Sequence, residues 1–279
     1  MKDSLSPGIV SPYLLIEGDG AHMDILRDGE ADLILASPPY FDEKKTAPLL
    51  MEPISRQNQF ETVQRCLDTF ALGLRPVFCE MQRTLRAGGA LIIQTKDIRY
   101  GGFLLPLAET HRRILAEIGF GLVTHVSWRK FSRRRASAAF LKSHAVGTFR
   151  ADETEEFLVF ARRGGIQVHG TTVDIAPELA NDWSSPLWET PGAGGNATHP
   201  HQSPPEPLRR LIRLFSDPGQ LVVDPFAGHG ATLLEAARLG RRAVGYEIDP
   251  ERANFAREKL ARLLRNKEDK EAQCPLYNR

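Results

Sequence analysis

LVVDPFAGHGATLLEAARLGRRAVGYEIDPE, Leu221 to Glu251, is the stretch that decides the fold. Leu221–Val223 is a short apolar run of the kind that forms a buried strand. Asp224-Pro225-Phe226-Ala227-Gly228-His229-Gly230 follows as a glycine loop, and Ala231–Leu239 carries apolar residues at helical spacing. Leu239-Gly240-Arg241 reads as a helix stop, and Ala243–Tyr246 as the next strand. Strand, loop, helix and strand in roughly 30 residues make the βαβ unit of a parallel sheet.

Outward from this unit the alternation persists. Further strands are predicted at Tyr13–Glu17, Ala31–Ala36, Ala90–Gln94, Gly121–Trp128 and Glu156–Ala161. Further helices are predicted at Gln59–Leu85, Pro106–Ile118, Pro205–Phe215 and Pro250–Leu264. Arg86-Ala87-Gly88-Gly89 reads as a turn between a helix and a strand. The expected class is α/β: a Rossmann-like, mainly parallel, seven-stranded sheet with helices on both faces, in a single domain over residues 1–279. Three stretches break the pattern: Phe41–Asn58, the basic Arg129–Arg150, and Gly164–Pro205, a long loop holding Trp183 and Trp188. The two tryptophans are either a recognition element or a lid packed on the core. The charged tail from Asn266 is expected to fray.

The 279 residues are 42% hydrophobic and 25% charged, with a formal net charge of +1. That supports an ordinary globular core, and any case for an anionic partner then rests on where charges cluster. Cys66, Cys79 and Cys274 are scattered and lack metal-ligand spacing, so neither a disulfide framework nor a metal site is expected and a reducing cytoplasm fits. No apolar run reaches the ~20 residues of a bilayer span, and the first residues lack a signal-peptide core.

Gly228 and Gly230 let backbone approach a ligand where a Cβ would clash. Glu247 closes the next strand, where an acidic side chain commonly accepts hydrogen bonds from ribose hydroxyls. A dinucleotide fingerprint needs a third glycine where this chain has Leu233. Asp224, ahead of the turn, suits a cationic ligand group better than a pyrophosphate. Together these favour S-adenosyl-L-methionine (SAM) over NAD, against the alternative of a strand–helix turn with no ligand.

The second constellation is ADLILASPPYFDE, Ala31–Glu43. Two prolines give a stiff, extended exit from a buried strand. The carbonyls of Ser37 and Pro38 then lack ladder partners and can accept hydrogen bonds from an exocyclic amine, as can the Ser37 hydroxyl. Pro39 carries the chain on to Tyr40, whose ring can stack on a planar base. The alternative is a proline-terminated strand before a plain loop.

Ser37–Tyr40 and Phe226–Gly230 together resemble the DNA amino-methyltransferases, whose signature is [D/N/S]-P-P-[Y/F/W] with a F-x-G-x-G loop. The catalytic signature precedes the SAM loop, as in the β group of that family. HPHQSPPEPLRRLI, His199–Ile212, resembles the segment that precedes that group's SAM loop, with Ser203 where lysine is usual. YLLIEGDGAHMDIL, Tyr13–Leu26, resembles its G-D stretch. The resemblance implies a circularly permuted class I methyltransferase fold and SAM as cofactor. It implies that Ser37, Pro38, Pro39 and Tyr40 are catalytic. It also implies that Asp19, Asp224, Phe226, Gly228, Gly230, Thr232 and Glu247 bind SAM. Ser at the first signature position points to cytosine N4 as target, with adenine N6 as the alternative.

From Ile118 to Ala151 the chain has no Asp or Glu but carries Arg129, Lys130, Arg133, Arg134, Arg135 and Lys142. An acid-free basic loop suits phosphate contacts, and a solvated surface loop is the alternative. The implied partner is double-stranded DNA with one base flipped out; a cognate restriction endonuclease and a homodimer are compatible with it. A NAD-dependent oxidoreductase, a non-catalytic nucleic-acid-binding module and an RNA or protein methyltransferase are the rival readings.

Overall fold

The structure, a computed structural model, describes residues 13–39, 59–100, 103–131, 154–167, 175, 177–191 and 205–272. In chain order the strands are β1 (Tyr13–Glu17), β2 (Ala31–Ala36), β3 (Leu85–Thr95), β4 (Ile98–Tyr100), β5 (Phe103–Leu105), β6 (Gly121–Phe131), β7 (Thr154–Ala161), β8 (Leu187–Pro191), β9 (Leu221–Asp224) and β10 (Arg242–Glu247). The helices are α1 (Gln59–Thr84), α2 (Leu107–Glu117), α3 (Pro177–Trp183), α4 (Pro205–Phe215), α5 (Ala231–Arg238) and α6 (Pro250–Ala272).

The main sheet runs β1-β10-β9-β2-β3-β7-β6-β8. The first five of these strands are mutually parallel, β7 is antiparallel to both neighbours, and β8 is parallel to β6. Side chains alternate between two apolar layers, as strand geometry demands. Ile34, Leu91, Ile93, Leu158, Phe160, Val223 and Tyr246 join residues of α1 and α2 in one layer. Leu33, Leu35, Ile92, Phe157, Val159, Val222 and Ala243 join residues of α4, α5 and α6 in the other. Helices therefore cover both faces, as the βαβ pattern predicts.

Among the described residues the main sheet has eight strands, where the sequence predicts seven. The additional one, β8, lies inside Gly164–Pro205, which reads as a long loop. Trp188 is 1% exposed and packs on Phe157, and its indole N–H donates to the Trp183 carbonyl at 3.1 Å. Both tryptophans are buried core, with the Arg210 guanidinium 5.7 and 5.3 Å from their ring centroids. The Arg86–Gly89 turn is absorbed into β3, where the register on β2 jumps from Ala31↔Leu85 to Leu33↔Ala90. Ile98–Tyr100 and Phe103–Leu105, given no element by the sequence, pair antiparallel as β4 and β5. Helix α6 continues past the predicted Leu264 to Ala272, so part of the charged tail is helical. Among the described residues no helix is long and apolar enough to cross a membrane.

Asp32 pins the centre of the sheet. Its Oδ2 accepts the Leu221 N–H of β9 at 2.8 Å, and its Oδ1 accepts the Arg86 Nε–H of β3 at 2.6 Å. One partly buried carboxylate thus joins three adjacent strands at their amino-terminal edge. Asp32→Ala strands both donors and should cost about 2–3 kcal/mol, read as a lower urea midpoint with unchanged slope. A midpoint equal to the wild type would show that the strands hold register without it.

Candidate active site

Parallel strands end together. β1, β10, β9, β2 and β3 finish at one edge of the sheet, and β6 finishes there too because it reverses β7, which reverses β3. The ladder pairs Ile34 of β2 with Val223 of β9. The Ser-Pro-Pro exit and the glycine loop therefore leave neighbouring strands at the same height. Such carboxyl ends are where ligands bind in open α/β sheets.

Backbone contacts stitch the loops on this edge together. The Gly18 N–H donates to the Glu247 carbonyl and the Ala227 N–H to the Tyr246 carbonyl, each at 2.9 Å. Gly20 packs so close that a Cβ there would lie 2.7 Å from the Pro225 carbonyl oxygen, so only glycine fits. Asp19 is exposed, and its Oδ1 accepts the Ala21 N–H at 2.9 Å.

The glycine loop is built around two acids. Gly228 and Gly230 have φ of 51° and 72°, the left-handed region that favours glycine, and Gly230 heads α5. Glu247 is 7% exposed; its Oε2 accepts the Gly228 N–H at 2.8 Å and its Oε1 the Asp249 N–H at 2.9 Å. Each carboxylate oxygen retains a lone pair for a further donor. Asp249 caps α6 by accepting the N–H groups of Glu251 and Arg252 at 3.0 and 3.2 Å. Asp224 is 4% exposed, and its Oδ1 accepts the Phe226 N–H at 3.0 Å. Burial, helped by the charge of Glu247, pushes its carboxyl up to about 6, against hydrogen bonds from Thr232 and Phe226 that lower it. Thr232 is buried beneath the loop on Asp224, and half-buried Phe226 packs on the first core layer.

On the β2 side Ser37 is half-buried, Pro38 buried and Pro39 exposed. Tyr40 lies outside the described residues. So do Arg133, Arg134, Arg135 and Lys142. Arg129 forms an exposed ion pair with Glu189 at 3.0 Å. Lys130 bonds the buried Glu155, with its ammonium 4.7 Å from the Trp128 ring centroid.

A family model described as DNA methylase, for N6 and N4 methyltransferases, matches residues 31–258. The chain belongs to this DNA methylase family. It is 29% identical over 289 residues to the Type II methyltransferase M.MjaI of Methanocaldococcus jannaschii, covering 92% of this chain and 93% of that protein. The Thermus thermophilus protein TTHA0409, solved in complex with SAM, superposes with a TM-score of 0.66 at 27% identity, over 90% of this chain and 93% of that one. The PvuII DNA methyltransferase, cytosine-N4-specific, shares the fold with a TM-score of 0.64 at 19% identity, over 88% of this chain and 85% of that one.

Two features of this DNA methylase escape the sequence reading. Ile248, next to Glu247, is 69% exposed and presents an apolar side chain at the rim of the glycine loop. Gln94 and Glu155 are buried polar groups bonded to each other at 2.5 Å. The available signal for the pair was a glutamine ending the apolar run Ala90–Ile93.

The raised carboxyl of Asp224 has a thermodynamic sign. Its charged form is the disfavoured one, so the cost to folding is absent below its ordinary 3.8, builds as pH rises from there to about 6, and is fully present above that. Ligand-free Asp224→Asn should thus be more stable than the wild type at pH 7.5, by up to about 3 kcal/mol, with the gap closing towards pH 4. Urea unfolding at both pH values checks this; a variant destabilised equally at both would contradict it.

Proposed function

We propose that this DNA methylase transfers a methyl group from SAM to the exocyclic N4 of cytosine in duplex DNA, on a base turned out of the stack. The observation that carries the reading is the placement of Ser37-Pro38 and Asp224–Gly230 on adjacent strands at one edge. Cytosine is taken over adenine because Ser37 stands first in the Ser-Pro-Pro-Tyr signature.

The residues present fit SAM. Glu247 offers lone pairs suited to a ribose diol, Ile248 an apolar surface suited to an adenine face, and Asp224 a carboxylate suited to an ammonium group. Asp19 adds an acceptor suited to the adenine amine. Positive φ at Gly228 brings backbone up to the ligand without a side chain in the way. When bound, SAM supplies an electrophilic methyl group on a sulfonium.

The chain's own residues do the rest. The Ser37 hydroxyl and the Pro38 carbonyl accept the hydrogen bonds of the exocyclic amine. That draws the nitrogen lone pair out of conjugation with the ring and aims it at the methyl group. The amine's surplus proton leaves after the methyl is gained, so no strong base is needed first. Catalysis is positioning and electrostatics. Tyr40 stacks on the ring. Arg129 can exchange its exposed pair with Glu189, a contact of small worth, for a phosphate, and Arg133, Arg134, Arg135 and Lys142 extend the same basic stretch.

Labelled SAM and plasmid DNA, followed by mass spectrometry of the nucleosides, should yield N4-methylcytosine. N6-methyladenine would move the target to adenine, and no methylated DNA would overturn the reading. Ser37→Ala and Tyr40→Ala should each cut turnover by about tenfold or more while SAM affinity holds. Glu247→Ala should weaken SAM binding, and wild-type SAM affinity should fall as pH drops below about 6, where Asp224 becomes neutral. Full turnover by Tyr40→Ala would contradict the stacking role.

A further inference from the structure

The β2–β3 ladder pairs Ala36 with Ile93. Ser37 is the first residue beyond the end of β2, and Gln94 is the residue after Ile93 on the neighbouring strand β3, so the two follow the last rung of this ladder. Gln94 follows Ile92 by two positions on β3 and so lies on the face covered by α4, α5 and α6. Gln94 is 4% exposed, and its Nε2–H donates to Glu155 Oε2 at 2.5 Å. The other carboxylate oxygen of Glu155 takes the ammonium of Lys130. Lys130 lies over the Trp128 ring, and the Trp128 indole N–H donates to Thr190 Oγ1 at 2.8 Å. A polar chain thus crosses β3, β7, β6 and β8, from the flank of Ser37 to the first residues of the basic stretch.

This chain is a poor device for stability alone. A buried carboxylate costs several kcal/mol in desolvation, and an apolar replacement of a buried ion pair is often neutral or better. Its geometric product is a restrained glutamine amide: one N–H is held on Glu155, on the strand next to the one from which Ser37 exits.

We propose, resting on the methyl-transfer reading above, that Gln94 is a positioning residue for the reaction. Glu155 and Lys130 hold its amide beside Ser37, and the amide fixes the direction from which Ser37 meets the target amine. Lys130 in this assignment is an internal anchor for the root of the basic stretch rather than a phosphate contact. SAM is held at Asp224 and Glu247, across β2 and away from this chain, so the effect falls on turnover and not on SAM binding.

The test uses the full chain with SAM and DNA, and the variants Gln94→Met, Glu155→Gln and their double. Gln94→Met, which preserves volume, should lower kcat about tenfold or more and leave the SAM Kd within about twofold. Glu155→Gln should also lower kcat, and the double should be no slower than the slower single, because both act through one chain. The proposal is overturned if kcat is unchanged, if SAM affinity falls in step with kcat, or if the two losses multiply. An active wild type with an equally active Gln94→Met defeats only this inference, whereas a wild type that methylates no DNA defeats the functional reading as well.

Discussion

The parallel pairing of β2 with β9 is the contact on which the rest depends. Leu33↔Val222 and Ile34↔Val223 join the two ends of the chain, and Asp32 bonds the Leu221 amide 189 positions away. The Ser-Pro-Pro exit belongs to one strand and the glycine loop to the other. Had β2 joined the sheet elsewhere, the same two motifs would stand too far apart to act on one ligand pair. Chain order is immaterial to this result. Only the neighbours in the sheet and the direction of the strands matter, so a permuted sequence reaches the same edge.

The edge is assembled against local preference. Two left-handed glycines, a glycine packed on a carbonyl, and two buried acids gather at the carboxyl ends of β1, β9 and β10. Glu247 satisfies two loop amides and in return is held rigid, while Asp224 sits where burial disfavours its charge. Such arrangements lower the stability of the empty fold and raise its preference for a ligand that supplies the missing charge and donors. The two apolar layers on the faces of the sheet offset these costs.

The glycine loop and its flanking strands were legible because each element there obeys its own period: a run of apolar residues, a turn, a helical face, another run. Helix α1 was legible over nearly its full length despite Pro76, because its apolar face repeats on both sides of that residue. Strand β8 was not, because Leu187–Pro191 is short and ends in proline, and its burial comes from partners far away in sequence. The bonds among Gln94, Glu155 and Lys130 were equally hidden: three polar residues on three strands become one chain only when β7 is inserted between β3 and β6. Lys130 reads as a phosphate contact from its neighbours in sequence and as an anchor from its neighbours in space.

Methyl transfer at this edge requires donor and acceptor to meet between β2 and β9. A crystal structure of the protein with duplex DNA and a non-reactive SAM analogue measures that meeting directly. The expected result is the target nitrogen within about 3–3.5 Å of the analogue's transferable-group position, bonded to Ser37 and Pro38, with the amino-acid tail near Asp224. An analogue bound away from the glycine loop, or a target base still stacked in the duplex, would contradict it.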